Sequence, residues 1–428
     1  MTKRVNYKPG DVEVEKMQLV RYDENWAIVG EALNILPQVI TMNVYEDLTK
    51  PTLYAEFIMQ DAIDIPGNFP IVGEEMIEVQ FITPAEGYST PTTYTFQVIE
   101  ITDMVEQPDK SYSNYIIRAV SYQHIKNTQR MVMQSYDDFI HSIVKSIMKD
   151  YLDTELGTPL RKDVFIEETK DTVKLTIPKL RPFAAIDFIR KRSISKDNAK
   201  SIFLFYENKE GFNFFTLDSL VKIGRDQEKR PFYRVPESTN VTENSADSFS
   251  YDKQEFRTIE TYEIIVRQST YKKISGGGLK NTVKSFDITS KKFTQRDNLL
   301  KDNTPITMDA KGQLSVSNLL INKFKDSGVE SVSATTVDIG SNLIDSFGAK
   351  EILESFFGEN AIRILVPGDS DMTIGRIIEV ELPDLSTGTT KRDDSRFISG
   401  NYLVSKLRHI IAGDEHKMAL ECVKLGVV

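Results

Sequence analysis

The chain has 428 residues, 40% of them hydrophobic and 27% charged, enough apolar content to build packed cores and to exclude a disordered tail. Lys and Arg number 53 against 63 Asp and Glu, and the net charge of −10 argues against a protein whose main task is gripping nucleic-acid phosphates. Cys422 is the one cysteine, which excludes an internal disulfide and a Cys-rich zinc site.

Met1-Thr2-Lys3-Arg4-Val5-Asn6-Tyr7 leads into no apolar signal core, and no stretch approaches about 18 uninterrupted apolar residues. The expectation is a soluble product of a reducing compartment, without membrane insertion. Residues 1–126 read as β. Ile40 to Tyr45, Leu53 to Met59, Met76 to Phe81, Tyr94 to Ile101 and Tyr115 to Val120 are rich in β-branched and aromatic residues. Pro66-Gly67, Pro70, Gly73 and Gly87 punctuate them, and such spacing suggests a small antiparallel barrel or sandwich.

The character changes near Asn127. Phe139, Ile143, Ile147 and Tyr151 recur at helical spacing, which predicts a helix over Tyr136 to Leu152 capped at Ser135 or Asp137. Pro182 starts a second helix that closes on Arg190-Lys191-Arg192. A hairpin follows, Ser201 to Tyr206 and Phe212 to Leu217, about a turn at Glu207 to Gly211. Ile259 to Arg267 reads as a strand, Gly276-Gly277-Gly278 opens a long polar stretch, and Ile344 to Phe357 suits one more helix. The last 68 or so residues return to strands.

That return echoes the start. Met76-Ile77-Glu78-Val79 follows Val72-Gly73, and Ile377-Ile378-Glu379-Val380 follows Ile374-Gly375; in each case two further strands complete the pattern. The chain therefore reads as two similar β modules bracketing a mixed α/β middle.

Convergent chemistry is scarce. His124 and His409 sit at the ends of predicted strands, His141 lies opposite the apolar face of its helix, and no His-Glu-x-x-His pair includes them or His416. Nucleophile-elbow, phosphate-loop and dinucleotide fingerprints are missing. Gly276 to Gly278 before Lys280 reads as a flexible turn, and Asp369-Ser370-Asp371 as a β-turn without calcium-loop spacing. Glu74-Glu75 and Asp393-Asp394 read as solvated turn or edge charges. Neither catalytic residues nor a metal or cofactor site is expected.

Two segments carry a resemblance. Asn43-Val44-Tyr45-Glu46-Asp47-Leu48, Ile58-Met59-Gln60-Asp61-Ala62 and Pro70-Ile71-Val72-Gly73-Glu74-Glu75 resemble the N-terminal region of baseplate central hub proteins of contractile-tailed bacteriophages. Val366-Pro367-Gly368-Asp369, Met372 to Gly375 and Ser399-Gly400-Asn401-Tyr402-Leu403-Val404 resemble the closing module of that family. Order and spacing carry the likeness, which is poorest over 221–250 and 301–342.

The resemblance implies a mainly β fold with a mixed α/β middle: two tail-tube-like antiparallel β-barrel domains bracketing an α+β region. The implied division is 1–126 for the first barrel, 127–222 with 271–345 for the middle, and 223–270 with 346–428 for the second barrel. It further implies a structural virion protein of the tail baseplate, assembled in the host cytoplasm. In that role a homotrimer adapts a sixfold tail tube protein to a threefold central spike protein, meets baseplate wedge proteins, and lines the channel through which DNA passes without tight binding. Tyr45, Glu46, Asp47, Asp61, Pro70, Gly73, Glu74, Glu75, Gly368, Gly375, Ser399, Gly400 and Tyr402 are the motif positions and possible interface. A lumen lined with carboxylates would repel phosphate. The competing readings are the hub module of a contractile secretion-system spike, a tail-associated cell-wall hydrolase and a receptor- or carbohydrate-binding β protein. The end at Val428, directly after the second module, suggests a separately encoded spike.

Overall fold

A computed structural model describes residues 8–69, 71–83, 91–106, 112–155, 160–197, 201–226, 231–235, 257–266, 280–287, 291–299, 329–332, 346–350, 353–354, 357, 360–382 and 398–424. The first region holds β1 (Glu13–Val20), β2 (Leu33–Asn34), β3 (Val39–Asp47), β4 (Tyr54–Asp61), the single turn α1 (Ile65–Asn68), β5 (Met76–Ile82), β6 (Thr92–Glu106) and β7 (Ser113–Val120). The middle holds α2 (Tyr122–Gln129), β8 (Ser135–Phe139), α3 (Ile140–Leu152), β9 (Asp163–Ile166), β10 (Thr172–Thr176), α4 (Pro182–Arg190), β11 (Phe203–Asn208), β12 (Gly211–Thr216) and α5 (Leu217–Asp226). Then come β13 (Phe232–Arg234), β14 (Thr261–Val266), β15 (Lys280–Asp287), β16 (Lys292–Leu299), β17 (Val329–Val332), β18 (Asn360–Pro367), β19 (Ile377–Glu381), β20 (Gly400–Ala412) and β21 (Glu415–Lys424).

The fold is mainly β, as expected, and is built around one large sheet that runs through both β modules. Its strand order is β14-β18-β21-β20-β3-β4-β7-β6-β5-β1-β2, with β19 also on β20 and β13 on β19. Period-two burial builds it: along β4, Ala55, Phe57 and Met59 turn inward while Tyr54, Glu56 and Ile58 lie partly open. Leu407, His409 and Ile411 do the same on β20.

The sequence echo is a repeat of strand order. β3-β4-β7-β6-β5 in one half corresponds to β14-β18-β21-β20-β19 in the other. The registers agree along the shared rungs, apart from single-residue bulges at Ile264/Val266 in β14 and Thr102/Val105 in β6 that have no counterpart in β3 and β20. One rung runs Tyr45, Tyr54, Val120, Gln97, Met76; its counterpart runs Val266, Ala361, Val423, Leu403, Ile377. A bulge follows at the same place in both, between Val98 and Glu100 and between Val404 and Lys406. This alignment sets Ile77-Glu78-Val79 on Ile378-Glu379-Val380.

The halves are one sheet because β20 is longer than β19 needs. Its first residues pair with β19 through Leu403, and its distal half, Lys406 to Ile411, pairs antiparallel with β3. Each half keeps its own apolar core, one around Phe57, Phe81 and Phe96 and the other around Ile364, Leu403 and Leu420. In the middle, Ile143 and Ile147 of α3 and Ile186 and Ile189 of α4 pack with Phe203, Phe212 and Phe214 of the β11–β12 hairpin.

Three expectations are corrected. The predicted helix from Tyr136 begins at Ile140, because Ser135 to Phe139 form β8 and pair with β10. His124 lies in the first turn of α2 and His409 inside β20, so neither ends a strand. His141 is half-buried and its Nδ1 accepts from the Thr169 amide at 3.0 Å. β1 and α5 extend the expected set.

Gly211 opens β12 at φ +145°, and a Cβ there would lie 2.2 Å from the Asp163 carbonyl of parallel β9. Gly211→Ala is expected to cost about 2–4 kcal/mol, read as a lower thermal midpoint; an unchanged midpoint contradicts this packing.

Candidate functional site

The joint between the halves rests on a buried polar knot. Glu46 of β3 is 1% exposed. Its Oε2 accepts from Thr373 Oγ1 at 2.6 Å and the Ile374 amide at 3.1 Å. Its Oε1 accepts from the Lys209 amide and the Tyr94 hydroxyl, both at 3.2 Å. The donors come from both halves and from the β11–β12 turn. Burial raises the Glu46 pKa, and the Thr373, Ile374 and Tyr94 hydrogen bonds oppose that rise without cancelling it.

Beside it, His409 and His416 of the β20–β21 hairpin are fully buried, with Nδ1 of the first 3.0 Å from Nε2 of the second. His416 Nδ1 lies 3.1 Å from Thr83 Oγ1, which accepts from the Ser370 amide at 3.1 Å. The Ser370 carbonyl accepts from Thr92 Oγ1 and Lys209 Nζ, each at 2.8 Å. Phe81 meets both imidazoles edge-on. Burial holds both rings neutral, His409 well below its ordinary pKa and His416 down to about 3.

The motif residues chosen from sequence mostly serve the chain's own architecture. Asp61 is buried and accepts from the Ile65 amide at 2.6 Å and Tyr115 OH at 2.8 Å. Glu75 is buried and accepts from the Val72 and Gly73 amides and from Arg21. Burial pushes its carboxyl up, but those hydrogen bonds prevail and hold it below the usual range. It is therefore no solvated edge charge, whereas Glu74 is exposed. Asp47 caps a turn through Thr49 at 2.8 Å. Gly73 and Gly375 sit at positive φ before equivalent strands β5 and β19. Gly368 leaves no room for a Cβ, which would lie 2.0 Å from His416 Cγ. Ser399 bridges Leu382 on both its N–H and C=O, Gly400 opens β20 at φ +129°, and buried Tyr402 donates to the Ile398 carbonyl. Asp369 accepts from the Asp371 amide at 2.8 Å in a turn. Pro70, Gly276 to Gly278 and Asp393-Asp394 lie outside the described residues.

Sequence reasoning missed the knot's His409, His416, Lys209, Thr83, Ser370 and Thr373. A signal exists for the imidazoles: His409 shares the phase of Leu407 and Ile411, and His416 that of Met418 and Leu420.

The opposite face of the sheet carries a ladder of paired charges. In the second half Arg363 meets Glu263 at 3.0 Å and Glu421 at 3.7 Å, and Lys406 meets Glu421 at 2.9 Å. Across the joint Arg408 reaches Asn43 Oδ1 at 3.0 Å and lies over the Tyr45 ring. Tyr45 and Tyr54 both donate to Glu56, and Arg118 bridges Glu56 at 3.6 Å and Glu100 at 3.1 Å. Equivalent positions hold opposite signs: Glu56, Arg118 and Glu100 stand where the other half has Arg363, Glu421 and Lys406. Within this ladder cations and carboxylates pair with one another rather than leaving a uniformly acidic strip.

No protein-family model and no curated protein matches the sequence. Solved structures do match in shape. A tail protein from Neisseria meningitidis aligns over 95% of this chain and 96% of its own, at a TM-score of 0.53 and 10% identity. The 43 kDa tail protein of prophage MuSo2 from Shewanella oneidensis aligns over 96% and 98%, at 0.53 and 10%. The chain has the fold of these tail proteins.

Two predictions follow from the knot. Glu46→Ala strips the acceptor from four donors, three of them on buried residues, and is expected to cost about 3 kcal/mol in denaturant unfolding, against about 1 kcal/mol for the turn cap in Asp47→Ala. The unfolded chain protonates His409 and His416 near pH 6.5, the folded chain far lower, so stability is lost as pH falls through that window. Glu46 acts oppositely, since its raised pKa weakens the fold as pH rises past the carboxylate range. With two imidazoles against one carboxyl, the thermal midpoint is expected to fall between pH 7 and pH 5; a rise contradicts this.

Proposed function

We propose that this chain is a structural hub subunit of a phage-type tail baseplate. The observation that carries the reading is the in-register repeat of five strands within one chain that has the tail-protein fold. Two similar modules per chain, and three chains per ring, offer six similar units to a sixfold tail tube, while the other side of the ring stays threefold for a central spike. Residues 1–126 and 223–270 with 346–428 supply the tube-like units, and 127–222 with 271–345 joins them.

The self-paired ladder suits a surface that DNA slides along. Cations already matched by carboxylates in the same rung release few counterions to a passing phosphate backbone, so they grip it weakly. This replaces simple acidity as the reason for passage. The reading is of a structural role, in keeping with buried carboxylates that are occupied by internal donors. Wedge, tube and spike proteins are the partners, and the virion tail is the location, with assembly in the host cytoplasm.

The mass of the purified chain by light scattering tests this. The expected value is three times the 48.7 kDa of one chain. A monomer that persists at the highest soluble concentration contradicts the reading.

A further inference from the structure

β3 and β14 hold the same place in the two halves, yet they differ in what lies beside them. β3 is paired on both sides, with β4 and with the distal half of β20. β14 pairs with β18, and among the described residues no strand covers its other edge. The consequence shows in burial: Val44 of β3 is 0% exposed, while its counterpart Ile264 of β14 is 40% exposed and Ile265, in the bulge beside it, is 36% exposed.

A matching open edge exists at the other half. The distal part of β6 corresponds to the distal part of β20, and it too runs past its short neighbour: Gln97 is the last residue paired with β5. From Glu100 to Glu106 it pairs with β7 alone among the described residues. Here again apolar side chains stand in the open, Ile99 at 44%, Met104 at 48% and Val105 at 54%. One half thus lacks what β20 has, and the other lacks what β3 has. Each chain carries both deficits.

We propose that β14 of one copy adds antiparallel to the distal half of β6 in the next copy, repeating between chains the β20–β3 joint made within each chain. This rests on the hub reading and names the surfaces that close the ring. The occupant is a second copy because the missing neighbour of each edge is the other edge, at equivalent positions of one repeat. Backbone ladder hydrogen bonds supply the contact, as when a strand is added to any open sheet edge. The contact is head-to-tail, so it closes only as a ring. The register follows from the internal joint: Ile410 opposite Asn43 places Val105 opposite the partner's Glu263, and Arg408 opposite Tyr45 places Thr102 opposite the partner's Val266.

The test uses the full chain. In a Val105→Cys/Glu263→Cys double variant, mild oxidation is expected to give covalently closed trimers on a non-reducing gel, and neither single variant does so; native Cys422 is buried and silent. Ile264→Lys with Ile265→Lys is expected to lower the solution mass threefold, to 48.7 kDa, with an unchanged circular-dichroism melt. Met133→Lys, at a side chain 76% exposed elsewhere, leaves the trimer intact. A trimer that resists the lysines and gives no cross-link overturns the edge pairing and leaves the hub reading standing. A native chain that stays monomeric overturns both.

Discussion

The structure depends on one strand being too long for its own neighbours. β20 begins beside β19 and ends beside β3, and that second contact turns two β modules into a single sheet. Closing it buries Glu46, a carboxyl whose desolvation costs several kcal/mol unless donors meet it. The donors arrive from Tyr94, Lys209, Thr373 and Ile374, contributed by the first half, the middle and the second half. No part of the chain can satisfy Glu46 alone, so the joint forms only when three regions are in place. The neutral imidazole pair next to it extends the same logic, since burial strips a charged ring there of its hydration.

Seen this way, the repeat has a direct consequence for assembly. A module with one overlong strand and one open first strand is a unit that joins head to tail. Within the chain, the covalent link through the middle region forces the first such joint. Among the described residues the β14 edge and the distal β6 edge pair with no other strand of the chain, and the proposed second joint is made against another copy. Exposed Ile264, Ile265, Met104 and Val105 would be a liability on a solitary protein, and on a ring component they are contact surface. The charge ladder on the other face stays wet and self-neutralised, which keeps that face free of strong attraction for a polyanion.

Much of the fold was legible from residues alone. Period-two patterning gave β3 to β7 within a few residues of their bounds, Pro182 marked the start of α4, and the Ile77-Glu78-Val79 echo of Ile378-Glu379-Val380 fell on structurally equivalent positions. The misses have physical causes. Tyr136 to Phe139 continue the helical spacing of α3, but pairing with β10 outweighs that local pattern. Glu75 looked like a surface charge because carboxylates usually are, and Glu46 was a motif position whose buried role was hidden because its donors lie far away in sequence, 327 residues in the case of Thr373. Apart from the His409–His416 contact within one hairpin the knot is non-local, and periodicity reveals which side chains point inward without revealing which of them meet.

The measurement that bears most directly on this account is a reconstruction of the assembled particle by electron microscopy, made without imposed symmetry. The account requires a threefold ring of six similar β modules, in which joints within chains (β20–β3) alternate with joints between chains (β14–β6). A closed particle lacking the sixfold-like repeat, or one in which β14 faces open solvent, would contradict it.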